Sequence, residues 1–145
     1  MAPNEDELAF WFDERRGATE AELDTAERYV GYVLPKPFRD LLRRQNGGVS
    51  NFAGYEVEGR YYPMLPILGV DPDAAAGTLM RAHDVRVHFG VPDGVVVIAA
   101  QGSAWWGLDY NTKRDCPSVV YRADEGVAPV EVALRFEAFL SHLTE

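Results

Sequence analysis

The sequence has a single cysteine, Cys116, and therefore no partner for an internal disulfide. It has no apolar run near the roughly eighteen residues that a membrane-crossing helix needs. It is also short of positive charge, with 14 Lys and Arg against 23 Asp and Glu and a formal charge of -9. A protein that holds a polyanion by neutralising phosphates needs a concentrated basic surface, which argues against direct binding to nucleic acid or to anionic membranes. A basic partner is the natural complement. The opening residues Met1 to Glu7 are acidic where a secretory leader is basic and then apolar, so the expected location is the cytoplasm.

Catalytic and ligand-binding patterns are scarce as well. Ser103, in Gly102-Ser103-Ala104, lacks the glycines two residues either side that a nucleophile elbow requires. Cys116 precedes Pro117 with no histidine nearby, which reads as an inert thiol. His83 and His88 are five residues apart, and helical metal ligands need a spacing of three or four to share a face. Asp109, Asn111 and Asp115 resemble a calcium loop, but Lys113 occupies the place of another oxygen ligand. Gly47-Gly48 closes a helix and does not open one, so it makes no phosphate cradle. The expectation is a protein that is not an enzyme, with no cofactor and no metal.

What is present is an ordinary core-forming pattern. A chain of 145 residues buries about two-thirds of the surface it exposes when unfolded, enough for one domain spanning 1-145 without staples. The acidity is uneven. Residues 1-27 hold nine acids and two bases, residues 28-70 three and six, and residues 71-145 eleven and six.

A short amphipathic helix is expected from about Glu5 to Arg15, with Leu8, Phe10, Trp11 and Phe12 on its apolar side. Thr19-Glu20-Ala21-Glu22 matches a capping box, followed by Leu23, Ala26 and Val30 at helical spacing, with the stripe ending near Leu34-Pro35. Pro35 or Pro37 opens a second helix that buries Phe38, Leu41 and Leu42, and Asn46-Gly47-Gly48 is expected to end it with a left-handed glycine cap.

From Val49 the period changes to two: Tyr55, Val57 and Tyr61 alternate with Glu56, Glu58 and Arg60, with a turn at Gly59. Tyr62 to Leu68 reads as an edge strand because of its two prolines. Asp71-Pro72-Asp73 is expected to cap a helix through Ala74, Ala75, Leu79, Met80 and His83. Gly94 to Ala100 reads as a central strand, Ala104 to Tyr110 and Ser118 to Arg122 as two more, and Val132 to Leu143 as a closing helix. Strands joined by short turns favour an antiparallel sheet, and the fold class expected is α+β.

The ordered set of these pieces resembles the SUKH superfamily, the group of the Smi/Knr fungal regulators and many bacterial immunity proteins. The residues that carry the resemblance are Leu23 to Val30, Leu34-Pro35, Phe38 to Leu42, Asn46-Gly47-Gly48, Val95 to Ala100, Trp106-Gly107-Leu108-Asp109, Ser118 to Tyr121, and the apolar helix with Phe136, Phe139 and Leu140, over about residues 19-143. One departure is Gln101-Gly102-Ser103-Ala104-Trp105, which lacks the acid that many members carry in that turn. The resemblance implies a single α+β domain and, for bacterial members, neutralisation of a cognate toxin, often a nuclease. The alternative it implies is a regulatory or scaffold module in the manner of the fungal relatives.

Strand parity puts Trp106, Leu108 and Tyr110 on one face and Trp105, Gly107 and Asp109 on the other. Two adjacent tryptophans therefore cannot enter the same core, and one is expected to point elsewhere. Trp105 and Asp109, beside the wet face carrying Glu56 and Glu58, form the expected partner-binding set, with the toxin as a basic partner. The competing reading is that a helix covers Trp105. The acidic helix face of Glu20, Asp24 and Glu27 is a second candidate surface, with solvation as its simpler explanation. A small-molecule pocket built from Trp105, Trp106 and Tyr110 is disfavoured, because parity splits the three rings between two faces.

Overall fold

The computed structural model describes residues 10-13, 15-71 and 78-144. Helix α1 (Glu20–Val30) begins where the capping box places it. The Glu22 amide donates to Thr19 Oγ1 at 3.1 Å, and the Thr19 amide donates to Glu22 Oε1 at 3.0 Å. Leu23, Ala26 and Val30 are buried at spacings of three and four, and Gly31, in the left-handed region, ends the helix. Helix α2 (Lys36–Arg44) has proline in its first turn and buries Phe38, Leu41 and Leu42.

A hairpin follows, β1 (Gly54–Val57) and β2 (Arg60–Pro63), in antiparallel register with Glu56 opposite Tyr61. Helix α3 (Leu79–Asp84) leads into a 3-10 turn, Arg86–Phe89. Strands β3 (Val95–Gln101), β4 (Ala104–Asp109), β5 (Ser118–Arg122) and β6 (Val130–Ala133) form a four-stranded antiparallel meander. Helix α4 (Phe136–Ser141) and the two-residue strand β7 (Leu143–Thr144) close the chain, with β7 pairing to β1 in a second sheet of order β2-β1-β7. The architecture is an α+β single domain.

Both faces of the meander are covered. On one, Trp106 meets Tyr55 of β1, Tyr62 of β2 and Phe139 of α4 at centroid distances of 6.1, 6.2 and 5.0 Å. Its indole donates to the Pro63 carbonyl at 2.9 Å. Phe38 reaches Phe136 at 5.4 Å, tying α2 to α4. On the other face the Trp105 indole donates to the carbonyl of Phe89 at 3.3 Å, beneath the 3-10 turn. Both tryptophans are 1 % exposed. The parity argument is right about opposite faces, but its consequence is corrected: neither ring is left outside, because each face has its own covering layer.

Four element boundaries differ from expectation. Trp11 bridges Ser50 in extended pairing, so no helix continues to Arg15; the rest of that expected helix, with Leu8, lies outside the described residues. The described part of the middle helix is capped by the Thr78 hydroxyl, which accepts from the Arg81 amide at 3.1 Å, while Pro72, Asp73, Ala74 and Ala75 lie outside the described residues.

Asn46-Gly47-Gly48 is not the left-handed cap of α2, whose C-cap is extended Gln45. Gly47 instead lets two backbone segments cross, since a Cβ there would stand 2.6 Å from the Gly69 amide nitrogen. Beside it the Asn46 side chain accepts from the Val70 amide at 2.7 Å. Val132 belongs to β6 and not to the closing helix, because Val130-Glu131-Val132-Ala133 runs in extended register along β5.

Strand β3 is apolar from Val95 to Ala100 as expected, yet it ends the ladder instead of occupying its centre. Its free side is closed by the proline-containing segment, through the Ile67–Ala99 bridge and the hydrogen bonds from Leu68 to Ile98 and from Ala100 to Pro66. Prolines suit that covering segment, because their missing amides cost nothing where bridges are isolated.

Candidate partner-binding surface

The four expected partner residues do not form one surface. Trp105 is interior, held by Phe89 on one side and carrying the Arg122 guanidinium 5.8 Å from its ring centroid. Its expected place at the surface is thereby corrected, for the reason weighed against it: a helical layer covers it. Asp109 lies four residues along the same strand, about 13 Å away at the rise of an extended chain. Its Oδ1 accepts from both the amide and the side-chain nitrogen of Asn111, each at 2.9 Å, so the carboxylate is engaged in closing a turn. Glu56 and Glu58 belong to the hairpin, which packs through Tyr55 and Tyr62 on the Trp106 face of β4. They are therefore across the sheet from Trp105.

Glu56 and Glu58 nevertheless share a surface with a residue the sequence did not single out. In the register of β1 and β2, Gly54, Glu56, Tyr61 and Pro63 point outward while Tyr55, Val57 and Tyr62 point inward. Tyr61 is 53 % exposed. It lies over Gly54, where a Cβ would come within 2.6 Å of its ring, so the absent side chain provides the ring's seat. Glu58 sits at the hairpin tip with φ of 51°, the one non-glycine residue with positive φ among those described, beside Gly59 at 78°. Two consecutive positive φ values give the twist that two-residue hairpins require. That conformation favours Asn or Gly over Glu by about 1 kcal/mol. The outward face thus joins an aromatic ring, anchored by its backbone seat, to two exposed carboxylates.

The acidic face of α1 is arranged differently. Arg39, whose side chain is only 14 % exposed, contacts Glu27 at 2.6 Å, Glu20 at 3.1 Å and Asp24 at 3.3 Å. Arg43 bonds Glu20 and Asp40 as well. The hydrogen bond from Arg43, opposed in part by desolvation, holds the Glu20 carboxyl down to about 2. Arg16 and the Thr19 amide do the same for Glu22, also to about 2. These acids are neutralised within the fold, which leaves them little charge to offer a partner.

Beside them an open groove of about 1140 Å³ runs along α1 and α2 to Arg114. Tyr32 stacks on Tyr110 at 4.3 Å, and Arg114 covers Tyr32 at 4.5 Å while donating to the Gly31 carbonyl at 3.0 Å.

A family model described as the SMI1 / KNR4 family (SUKH-1) matches residues 17–142. The chain belongs to this family. Its match begins just before the Thr19 cap of the SUKH-1 domain and ends at His142, so it takes in the hairpin, both sheets up to β7 and the adjacent Trp105 and Trp106. A comparison with curated proteins finds no match for the chain.

Within this SUKH-1 domain no three His, Cys, Asp or Glu side chains converge as a metal-holding group among the described residues. His83 is half-buried in α3, where burial and then Arg86 push its pKa down, and its Nδ1 has no hydrogen-bond partner. No described helix is long and apolar enough to cross a membrane. Sequence reasoning missed Tyr61 because alternation alone assigned it to the Tyr55 side. Cross-strand pairing of Glu56 with Tyr61 was the signal that would have found it, since a two-residue turn at Glu58-Gly59 fixes that register.

Proposed function

We propose that this SUKH-1 domain is an immunity protein that binds and neutralises a basic toxin domain of nuclease type by association, without turning over a substrate. The observation that carries the reading is the outward hairpin face, where exposed Tyr61 stands opposite Glu56, with Glu58 at the hairpin tip, on a chain of formal charge -9. A nuclease is basic because it holds a polyanion, and an acidic inhibitor gains association rate and specificity from that charge while an aromatic anchor supplies affinity. Trp105 then acts from the interior by fixing the sheet, and Asp109 by fixing a turn. The reading also places the protein in the cytoplasm, where it would meet an incoming toxin.

The experiment is a binding titration against a purified basic toxin domain of nuclease type, taken from a neighbouring reading frame where one encodes it. Tyr61→Ala and the double change Glu56→Gln with Glu58→Gln are each expected to weaken binding by about tenfold or more, with unaltered folding. Wild-type affinity in both would remove the hairpin face from the interface.

A second reading, a regulatory interaction module of the Smi/Knr type, is favoured by the groove beside α1 and α2. Beside the internally paired Lys36, Arg39 and Arg43, its lining carries Arg28 and Arg114 against Asp115, so it suits an acidic segment better than a basic one. If Arg114→Ala abolishes binding to a cellular protein while the hairpin variants retain it, this second reading holds.

A further inference from the structure

Arg122, the last residue of β5, is 5 % exposed and pairs with Trp105 across the ladder. Its Nη2 donates to the Ser103 carbonyl at 2.9 Å. Its Nε is buried without an acceptor. Its Nη1 occupies the space where a side chain on Gly90 would begin, 2.6 Å from the position of that Cβ. None of the ion pairs among the described residues includes Arg122, although the chain holds 23 acids. The other largely buried guanidinium, Arg39, meets three carboxylates. Interior charges are ordinarily paired, because desolvation of an isolated ion is costly. A carbonyl and an aromatic face compensate Arg122 only in part.

Next to it is a cavity of about 60 Å³ beneath α3 and the 3-10 turn, lined by Ala82, Phe89, Val91, Val97, Ala100 and Trp105 among others. Trp105 belongs to both features, since its ring lines the cavity and lies under the guanidinium. A buried guanidinium whose Nε lacks an acceptor, beside a small apolar space, matches one chemistry: a single negative charge with planar oxygens, carried on a short alkyl chain. A doubly charged phosphate would leave one charge uncompensated.

We propose that Arg122 is the anchoring group of a carboxylate-binding site whose apolar part is the Trp105 cavity. The carboxylate comes either from a free short-chain acid or from an acidic side chain inserted by a partner. The site is independent of the hairpin face.

The test is an NMR titration of the full chain with acetate, butyrate and a blocked glutamate dipeptide at constant ionic strength, against chloride. The Trp105 indole N–H and the amides of Gly90 and Ser103 report. Saturable shifts at these three groups are expected, with butyrate binding about tenfold tighter than acetate through its two additional methylenes. Arg122→Lys, which keeps the charge but loses the fork, is expected to weaken binding at least about tenfold. Butyrate binding without dipeptide binding identifies a free acid as the source; dipeptide binding of at least equal strength identifies a partner side chain. Absence of saturable shifts in the wild type, or shifts equal to those with chloride, overturns the proposal. So does an Arg122→Lys variant that is folded and binds as the wild type does.

Discussion

Trp105, Tyr61 and Glu58 define three different residue-level roles. Trp105 is enclosed between the 3-10 turn and Arg122, so Trp105→Ala leaves a cavity in the interior and is expected to cost about 3–5 kcal/mol. Urea denaturation measures that loss. A change below about 1 kcal/mol would mean that the covering layer collapses onto the gap. Tyr61 is half in water, and Tyr61→Ala is expected to alter stability by less than about 0.5 kcal/mol while binding falls. Glu58 is held at positive φ against its preference, so Glu58→Gly or Glu58→Asn is expected to raise stability by up to about 1 kcal/mol. Both changes also remove a carboxylate from the proposed interface. A higher melting temperature with weaker partner binding is the expected combined result, and a lower melting temperature would show that Glu58 makes a stabilising contact which its φ conceals.

Helix α1 is the element whose local chemistry can be tested most directly. Removing the cap by Thr19→Ala is expected to cost about 1 kcal/mol in denaturant unfolding, since the hydroxyl that accepts from the Glu22 amide is lost. Glu22 adds a pH dependence. Arg16 and the Thr19 amide depress its pKa in the folded chain from an ordinary 4.5 to about 2. Its contribution to stability is therefore fully present above the ordinary value and is lost as pH falls through that window toward about 2. Denaturation midpoints of the wild type are expected to fall more steeply over that acid range than those of Glu22→Gln, and parallel curves would refute the coupling.

Elements with such local signals, α1, α2 and the β1-β2 hairpin, were legible from the residues alone. Strand β6 was not, because Val130 and Val132 also fit the start of a helical stripe toward Phe136 and only pairing with β5 decides between the two.

For the whole molecule, the charge pattern separates surfaces that composition alone treats as equivalent. The acids of α1 are engaged by Arg39, Arg43 and Arg16, whereas the hairpin carboxylates stand outward beside Tyr61. Electrostatic steering toward a basic partner is therefore expected to depend on Glu56 and Glu58 more than on Glu20 and Asp24. Stopped-flow association with the toxin is expected to slow by about tenfold or more between low and high salt, as screening shortens the reach of exposed charge. The salt slope should shrink in the Glu56→Gln, Glu58→Gln double variant. An unchanged slope in that variant would place the steering charge elsewhere on the molecule.

Local chemistry dictated the helix cap at Thr19, the apolar faces of α1 and α2, the turn at Gly59, the two-sided character of β4 and the α+β class. Each follows from the periodicity and hydrogen-bonding capacity of residues a few positions apart. Three-dimensional packing decided that both tryptophans lie inside, that Asp109 is bound up in a turn, and that Glu56 and Glu58 face away from Trp105 with Tyr61 beside them. Parity along a strand assigns a side chain to a face; it does not determine whether another layer covers that face. Coverage depends on contacts between distant segments, such as Phe89 over Trp105 and Tyr55 beneath Trp106, and these arise only when the sheets and helices assemble.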